Sequence, residues 1–328
     1  MKHPRAAEAN ADATEWVLSH GLVTDAAEEF AGIGFGHLAA RVSGDASYED
    51  IVLLAQWMAW SFVLDDQHDH LIRSGGLRAW RPVADAITGH LATDGTGGRP
   101  MSRPHPLVDG FIDLCDRILA RMPEGIRARY RAHVPLMLRS LDQEAVNRRA
   151  GGRPEIDDYI LMRRHSSQLL PMMDMVEAGL GIEVPQEVHD SPQFQRLVHS
   201  AVDVISWGND VFSLPKEYSC GDNNNLVSLL SSWNGWTLRK SVEAVEERIR
   251  SRVEDFRTGA RRLPQLLDVL ALTGPSEREA VARCVRSYED WMIGADLWQR
   301  YECTRYSDER FAAGLEGAYT NPDLFSAA

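Results

Sequence analysis

Residues 61–70 read SFVLDDQHDH and place Asp65, Asp66, His68, Asp69 and His70 directly behind the apolar run LLAQWMAW. In a helix Asp65 and Asp69 are four apart and share a face, with Asp66 about a quarter-turn aside. Like charges at that spacing repel. They also continue the stripe that carries Trp57, Met58, Ser61 and Phe62 one and two turns earlier, so the carboxylates stand at the rim of an apolar, aromatic surface. A hard divalent cation is the simplest stabiliser of carboxylates so placed. With few protein ligands per ion, magnesium, which keeps several waters, fits better than calcium. Imidazole suits magnesium poorly, so His68 and His70 read as surface or supporting residues.

A second stretch, WGNDVFSLPKE at 207–217, closes another apolar helix and sets Asn209, Ser213 and Glu217 at successive four-residue intervals. An amide, a hydroxyl and a carboxylate then lie along one stripe and can chelate one magnesium ion, with the Lys216 cation beside them. Pro215 sits inside this motif. Lacking an N–H, it is expected to kink or end the helix near Glu217.

The elements that must position these groups are helices. Apolar residues recur at three- and four-residue spacing over 48–66, 105–122, 134–150, 156–181, 192–214, 238–256 and 276–301, and no sustained alternation of period two appears. The breaks RSGG, DGTGGRP, MPEG, AGGRP, CGDNNN and TGPSE are too short to be domain linkers. The chain therefore reads as all-α, one domain over residues 1–328 with about ten helices.

Composition removes several classes. With a net charge of -13, the chain lacks the clustered Lys and Arg that nucleic acid or an anionic membrane would demand. Cys115, Cys220, Cys284 and Cys303 form no CxxC pair, which suggests neither a zinc site nor a disulfide framework and fits a reducing cytoplasm. No apolar run approaches the ~20 residues needed to span a bilayer, and the N-terminus has no apolar signal core.

Taken together, DDQHD followed by NDVFSLPKE resembles the two metal-binding motifs of the bacterial class I terpene synthases. Arg163, in YILMRRH, stands where that family places the arginine that senses diphosphate. WQRYECTRY supplies Arg305 and Tyr306, similar to the family's Arg-Tyr pair. The resemblance covers residues 57–306 and implies a class I terpenoid synthase-like helical bundle around a central cavity. It implies three magnesium ions and an isoprenyl diphosphate, whose departing diphosphate leaves an allylic cation to cyclise in a dry pocket. Carried over by position, Asp65 would bridge two of the ions, with Asp69 a further ligand. Alternatively Asp66 and Asp69 would orient Asp65 and pair with arginines. Asn209, Ser213 and Glu217 would hold the third ion, and Arg163, Lys216, Arg305 and Tyr306 would donate to the diphosphate.

The resemblance also implies a cavity wall. Phe62 shares the aspartate stripe, and Trp298, seven residues before Arg305 with Tyr301 between, is expected on the same helical face. Aromatic faces stabilise a carbocation without offering a lone pair to quench it. Trp57 and Trp60 read as core. The family breaks its helix after the sensing arginine at a small residue; here RRHSSQ assigns that break to Ser166 or Ser167. Farnesyl diphosphate is the first expected substrate and geranylgeranyl diphosphate the second, and a homodimer is compatible. A chain-elongating synthase would need a second aspartate-rich motif, and Asp157-Asp158, followed four residues on by Leu161 and Met162, does not supply it. An HD-type phosphohydrolase would need further paired His and Asp, and a non-catalytic scaffold would leave Asn209, Ser213, Glu217, Arg163 and Arg305 as coincidence.

Overall fold

The structure is a computed structural model that describes residues 2–24, 26–92, 101, 103–149, 152–219, 222–306, 321 and 324–325. The break at 94–100 and Cys220 lie outside the described residues. Among these residues there are fourteen α-helices and no strand, so the all-α reading holds, with more helices than expected. The helices are α1 Ala6–Ser19, α2 Ala27–Ala31, α3 Phe35–Val42, α4 Tyr48–Ser74, α5 Trp80–Leu91, α6 Pro106–Arg121, α7 Glu124–Arg149, α8 Ile156–Ser166, α9 Leu169–Gly179, α10 Gln186–His189, α11 Pro192–Ser219, α12 Leu226–Asn234, α13 Leu238–Val269 and α14 Pro275–Tyr301. Short 3-10 turns occupy Leu77–Ala79 and Thr304–Tyr306.

Local chemistry sets the ends of the central helix. Ser47 caps α4 by accepting from the Asp50 N–H at 3.2 Å, and Glu49 and Asp50 complement the positive end of its dipole. Gly75 stops it in a left-handed conformation, at φ 76°. Between these ends α4 is apolar on several faces because it is surrounded: Ile51, Leu54, Trp57, Met58, Trp60, Val63 and Leu64 are all buried.

The helices close into a ring. α4 packs on α3, α3 on α14, α14 on α11, α11 on α8, α8 on α9, and α9 back on α4. The inner faces of this ring enclose the cavity described below. α13 and α12 cover the outer side of α11, where Tyr159, Trp207, Leu226, Leu230 and Val245 form a second apolar cluster. Pro215 does not end α11, which runs four residues further to Ser219.

The wall formed by α3 depends on one close approach. α1 lies so near α3 that a Cβ on Gly36 would come within 2.1 Å of the Asn10 nitrogen and 2.4 Å of its Cα. Asn10 uses that proximity, accepting from the Gly36 N–H at 3.1 Å and donating to the Ala31 carbonyl at 2.9 Å. Gly36→Ala is therefore expected to destabilise the fold by about 3 kcal/mol, because backbone rather than a flexible side chain must move. Urea unfolding measures this; a loss below about 1 kcal/mol would mean that α1 shifts without cost.

Candidate active site

The ring encloses a cavity of about 1030 Å³, counting its open mouth. Met58, Ser61, Phe62, Asp65 and Asp69 of α4 line it as one stripe, and Ile205, Asn209, Ser213, Lys216 and Glu217 of α11 line it as another. Arg163, Ser166, Ser167, Trp298, Arg305 and Tyr306 complete the set expected from the sequence. Asp66 faces away from the α4 stripe, as its quarter-turn offset requires.

Asp66 is a buried anchor. Arg305 holds it bidentately, Nη1 to Oδ2 at 2.8 Å and Nη2 to Oδ1 at 2.6 Å, and Lys216 Nζ donates to Oδ1 at 3.1 Å. Two cations keep this carboxylate ionised: Arg305 first, then Lys216, outweigh the burial that opposes it and lower its pKa. Asp69 accepts from Arg148 Nη1 at 2.7 Å, and Arg148 also pairs with Asp222. Both aspartates thus pair with arginines. No described side chain donates a hydrogen bond to Asp65.

The second motif is organised around Asp210, fully buried on α11. It accepts from Arg163 Nε at 3.0 Å, the Tyr159 hydroxyl at 2.6 Å and the Leu226 N–H at 3.0 Å. Arg163 Nη2 also donates to Asn209 Oδ1 at 2.9 Å, and Asn209 Nδ2 donates to the Tyr306 oxygen at 2.9 Å. Asn225, the cap of α12, donates to Glu217 Oε2 at 2.7 Å. The Ser213 hydroxyl donates to the Asn209 carbonyl at 2.8 Å, which leaves its lone pairs free to bind.

Three carboxyls on this cavity wall hold their protons unusually tightly. Burial, with Asp69 nearby, pushes Asp65 up to about 6. Burial, with Asp222 and Asp210 adding to it, raises Glu217 to about 7. Glu144 of α7, pushed by burial, reaches about 8 even beside Arg163 and Arg148. Carboxylates under mutual repulsion, with Asp65 lacking a described donor, fit oxygen-loving divalent cations. Among the described residues no three His, Cys, Asp or Glu side chains converge on a single ion, so Asn209 and Ser213 are needed to complete a site.

The inner wall is aromatic. Phe62, Phe35 and Trp298 interlock edge to face or tilted, with ring centres 4.8 Å apart for Phe35 and Phe62 and 6.2 Å for Phe62 and Trp298. The Trp298 indole donates to the Ile33 and Gly34 carbonyls at 2.8 and 3.0 Å, which fixes its ring. Gly34 has φ 80° there, and a Cβ would press on the Glu302 carbonyl and that indole.

Several expectations are corrected. Arg305 does not share a helical face with Trp298: α14 ends at Tyr301, which is 75% exposed, and the 3-10 turn delivers Arg305 instead. Trp57 and Trp60 are core, as read, with Trp57 tilted against Trp60 and Tyr130, so only its place on the aspartate stripe is corrected. His68 is no surface residue. It is buried edge-on against Trp80, and burial lowers its pKa to about 4, while His70 is exposed. Ser166 is the last residue of α8, Ser167 its cap, and the backbone turns at Gln168, with φ 63°.

A cavity with buried cations and oxygen donors at one end and aromatic rings at the other belongs to an enzyme for substrates with an anionic head and a hydrocarbon tail. Residues 56–255 match the profile of terpene synthase family 2, C-terminal metal binding, and the chain belongs to the terpene synthase family. It is 33% identical over 326 residues to pristinol synthase of Streptomyces pristinaespiralis, covering 98% of this chain and 86% of that protein. It is 30% identical to pentalenene synthase of Streptomyces avermitilis, covering 96% and 93%. Among solved structures, a variant of cucumene synthase superposes with a TM-score of 0.79 at 27% identity, covering 92% and 96%.

Sequence reasoning missed Glu144, Arg148, Asp210 and Asp222. Glu144 and Arg148 were detectable: they are four apart and continue the buried row of Met137 and Leu141, where charge is out of place. Glu144 has a measurable signature without metal. Its carboxyl binds a proton more tightly folded, at about 8, than unfolded, near the ordinary 4.5. The stability it contributes is therefore present below the unfolded value and is lost as pH rises towards 8. In chelator, Glu144→Gln is expected to melt progressively higher relative to wild type as pH goes from about 5 to about 8. Parallel melting curves would exclude Glu144 as the titrating group.

Proposed function

We propose that this protein is a magnesium-dependent sesquiterpene cyclase that ionises farnesyl diphosphate, cyclises the resulting cation and releases diphosphate. The observation that carries this reading is the polarity of one cavity. Asp65 and Asp69 of α4, the Asn209, Ser213 and Glu217 stripe of α11, and Arg163, Lys216, Arg305 and Tyr306 line the same space as Phe62 and Trp298. Bound magnesium, three ions by likeness to the family, would supply the positive charge that a departing diphosphate needs. Asp65, to which no described side chain donates, and the Asn209, Ser213 and Glu217 set would hold it.

The chain's own residues then divide the work. Arg163, fixed by Asp210, and Tyr306, fixed by Asn209, aim donors at the leaving group in a site where fixed dipoles need not reorganise. Arg305 and Lys216 neutralise Asp66 and leave positive charge at the cavity wall. Phe62 and Trp298 offer π faces to the cation, each contact contributing about 0.5 to 2 kcal/mol. Residues 1–328 act as one catalytic domain, since Arg41 of α3 grips Glu302 beyond α14 at 2.7 Å. The buried thiols of Cys115 and Cys284 suit a cytoplasmic setting, and a homodimer is compatible with the same site.

Purified protein given farnesyl or geranylgeranyl diphosphate with magnesium is expected to release diphosphate and a volatile cyclic terpene from the fifteen-carbon substrate. Chelator should abolish both and magnesium restore them; full turnover after exhaustive metal removal would refute the assignment. Arg163→Ala is expected to lower kcat about a hundredfold for all products together, the loss of one donor of ~3 kcal/mol to developing charge. Phe62→Leu and Trp298→Leu should instead enrich early-quenched or linear terpenes. Wild-type profiles and rates from both would return these rings to the core.

A further inference from the structure

Serines buried in the helices of this protein follow a rule. Ser61, Ser140, Ser200, Ser213, Ser241 and Ser287 each turn the hydroxyl back on a carbonyl three or four residues earlier, at 2.6 to 3.1 Å. Ser206 breaks it. It is 2% exposed on α11, one turn before Asn209, and its Oγ has no hydrogen-bond partner. The Ser166 Oγ at the end of α8 lies beside the Glu144 carboxyl, which it helps to hold ionised. Like Ser206, the Oε1 of Gln168, 6% exposed, at the left-handed residue that opens α9, has no hydrogen-bond partner. All three side chains line the cavity, and α8 packs on both α11 and α9.

An unpaired buried polar atom is costly, and a left-handed glutamine adds backbone strain. The two unpaired atoms, with the Ser166 hydroxyl in the same cavity lining, provide what a single buried water needs, two to four polar partners. We propose that Ser166, Gln168 and Ser206 hold one water molecule in the cavity, and that this water ends the reaction, so that the product is a terpene alcohol rather than a hydrocarbon. The proposal rests on the cyclase reading above. In the closing step a lone pair of the water oxygen forms the C–O bond to the final carbocation. The oxonium so formed gives its proton to an oxygen of the released diphosphate. The sum is farnesyl diphosphate plus water giving a fifteen-carbon alcohol plus diphosphate. Tethering matters because a mobile water would quench the first allylic cation and give a linear alcohol.

The test is turnover of farnesyl diphosphate with magnesium in water enriched in the heavy oxygen isotope, with the volatile product examined by mass spectrometry and diphosphate release followed in parallel. A cyclic alcohol carrying the label is expected. In the Gln168→Met, Ser206→Ala double variant the ratio of alcohol to hydrocarbon, normalised to diphosphate released, should fall at least about tenfold. If circular dichroism shows that the double variant does not fold, Ser206→Ala alone supplies the same ratio. A wild-type product that is only hydrocarbon overturns the proposal. So does an alcohol without label, or a variant ratio equal to wild type, while each leaves the cyclase reading intact. Absence of diphosphate release from wild type would overturn the cyclase reading itself.

Discussion

Burial of Asp66 between Arg305 and Lys216 is the constraint on which the site depends. It ties together α4, α11 and the turn beyond α14, alongside the Asn209–Tyr306 hydrogen bond that also joins the last two. A buried bidentate pair adds little net stability over apolar packing, yet losing one partner strands a charge and costs about 3–5 kcal/mol. Its value here is geometric. With Asp66 turned to the cations, Asp65 and Asp69 on the same helix turn to the cavity.

Around that anchor the protein tolerates local unfavourable energy. Asp65, Glu217 and Glu144 are crowded enough to hold protons near neutrality, and the backbone at Gln168 adopts a conformation glycine would take more easily. Elsewhere packing compensates: α4 is sheathed in apolar contacts, and Asp210 satisfies Arg163, Tyr159 and the start of α12 at once. Rigid surroundings let an electrostatically strained centre persist, as sites with work to perform commonly require.

The sequence carried much of this because the decisive groups lie on single helices. Asp65 and Asp69, or Asn209, Ser213 and Glu217, are brought together by helical periodicity alone, so four-residue spacing reveals them before any packing is known. Arg305 was legible by resemblance, but its delivery was not: periodicity extended through Tyr301 misplaces it, since the helix stops and a tighter turn takes over. Asp210 and Asp222 were hidden for the opposite reason. Each is one residue whose partners come from other helices, and only tertiary packing brings them into contact. His68 misled because a titratable group in an acidic run looks solvated, whereas its face of α4 turns to Trp80.

The span between the two halves of the anchor has a consequence for biosynthesis. Asp66 lies in the first quarter of the chain and Arg305 near its end, so a nascent polypeptide carries both metal motifs before it owns the residue that neutralises Asp66. Until the turn after α14 has been made and docked against Gly32, where the Thr304 N–H meets its carbonyl at 3.1 Å, the pocket has no finished rim. Chains lacking the turn that carries Arg305 would therefore leave Asp66 without its main counter-charge and the cavity open to water.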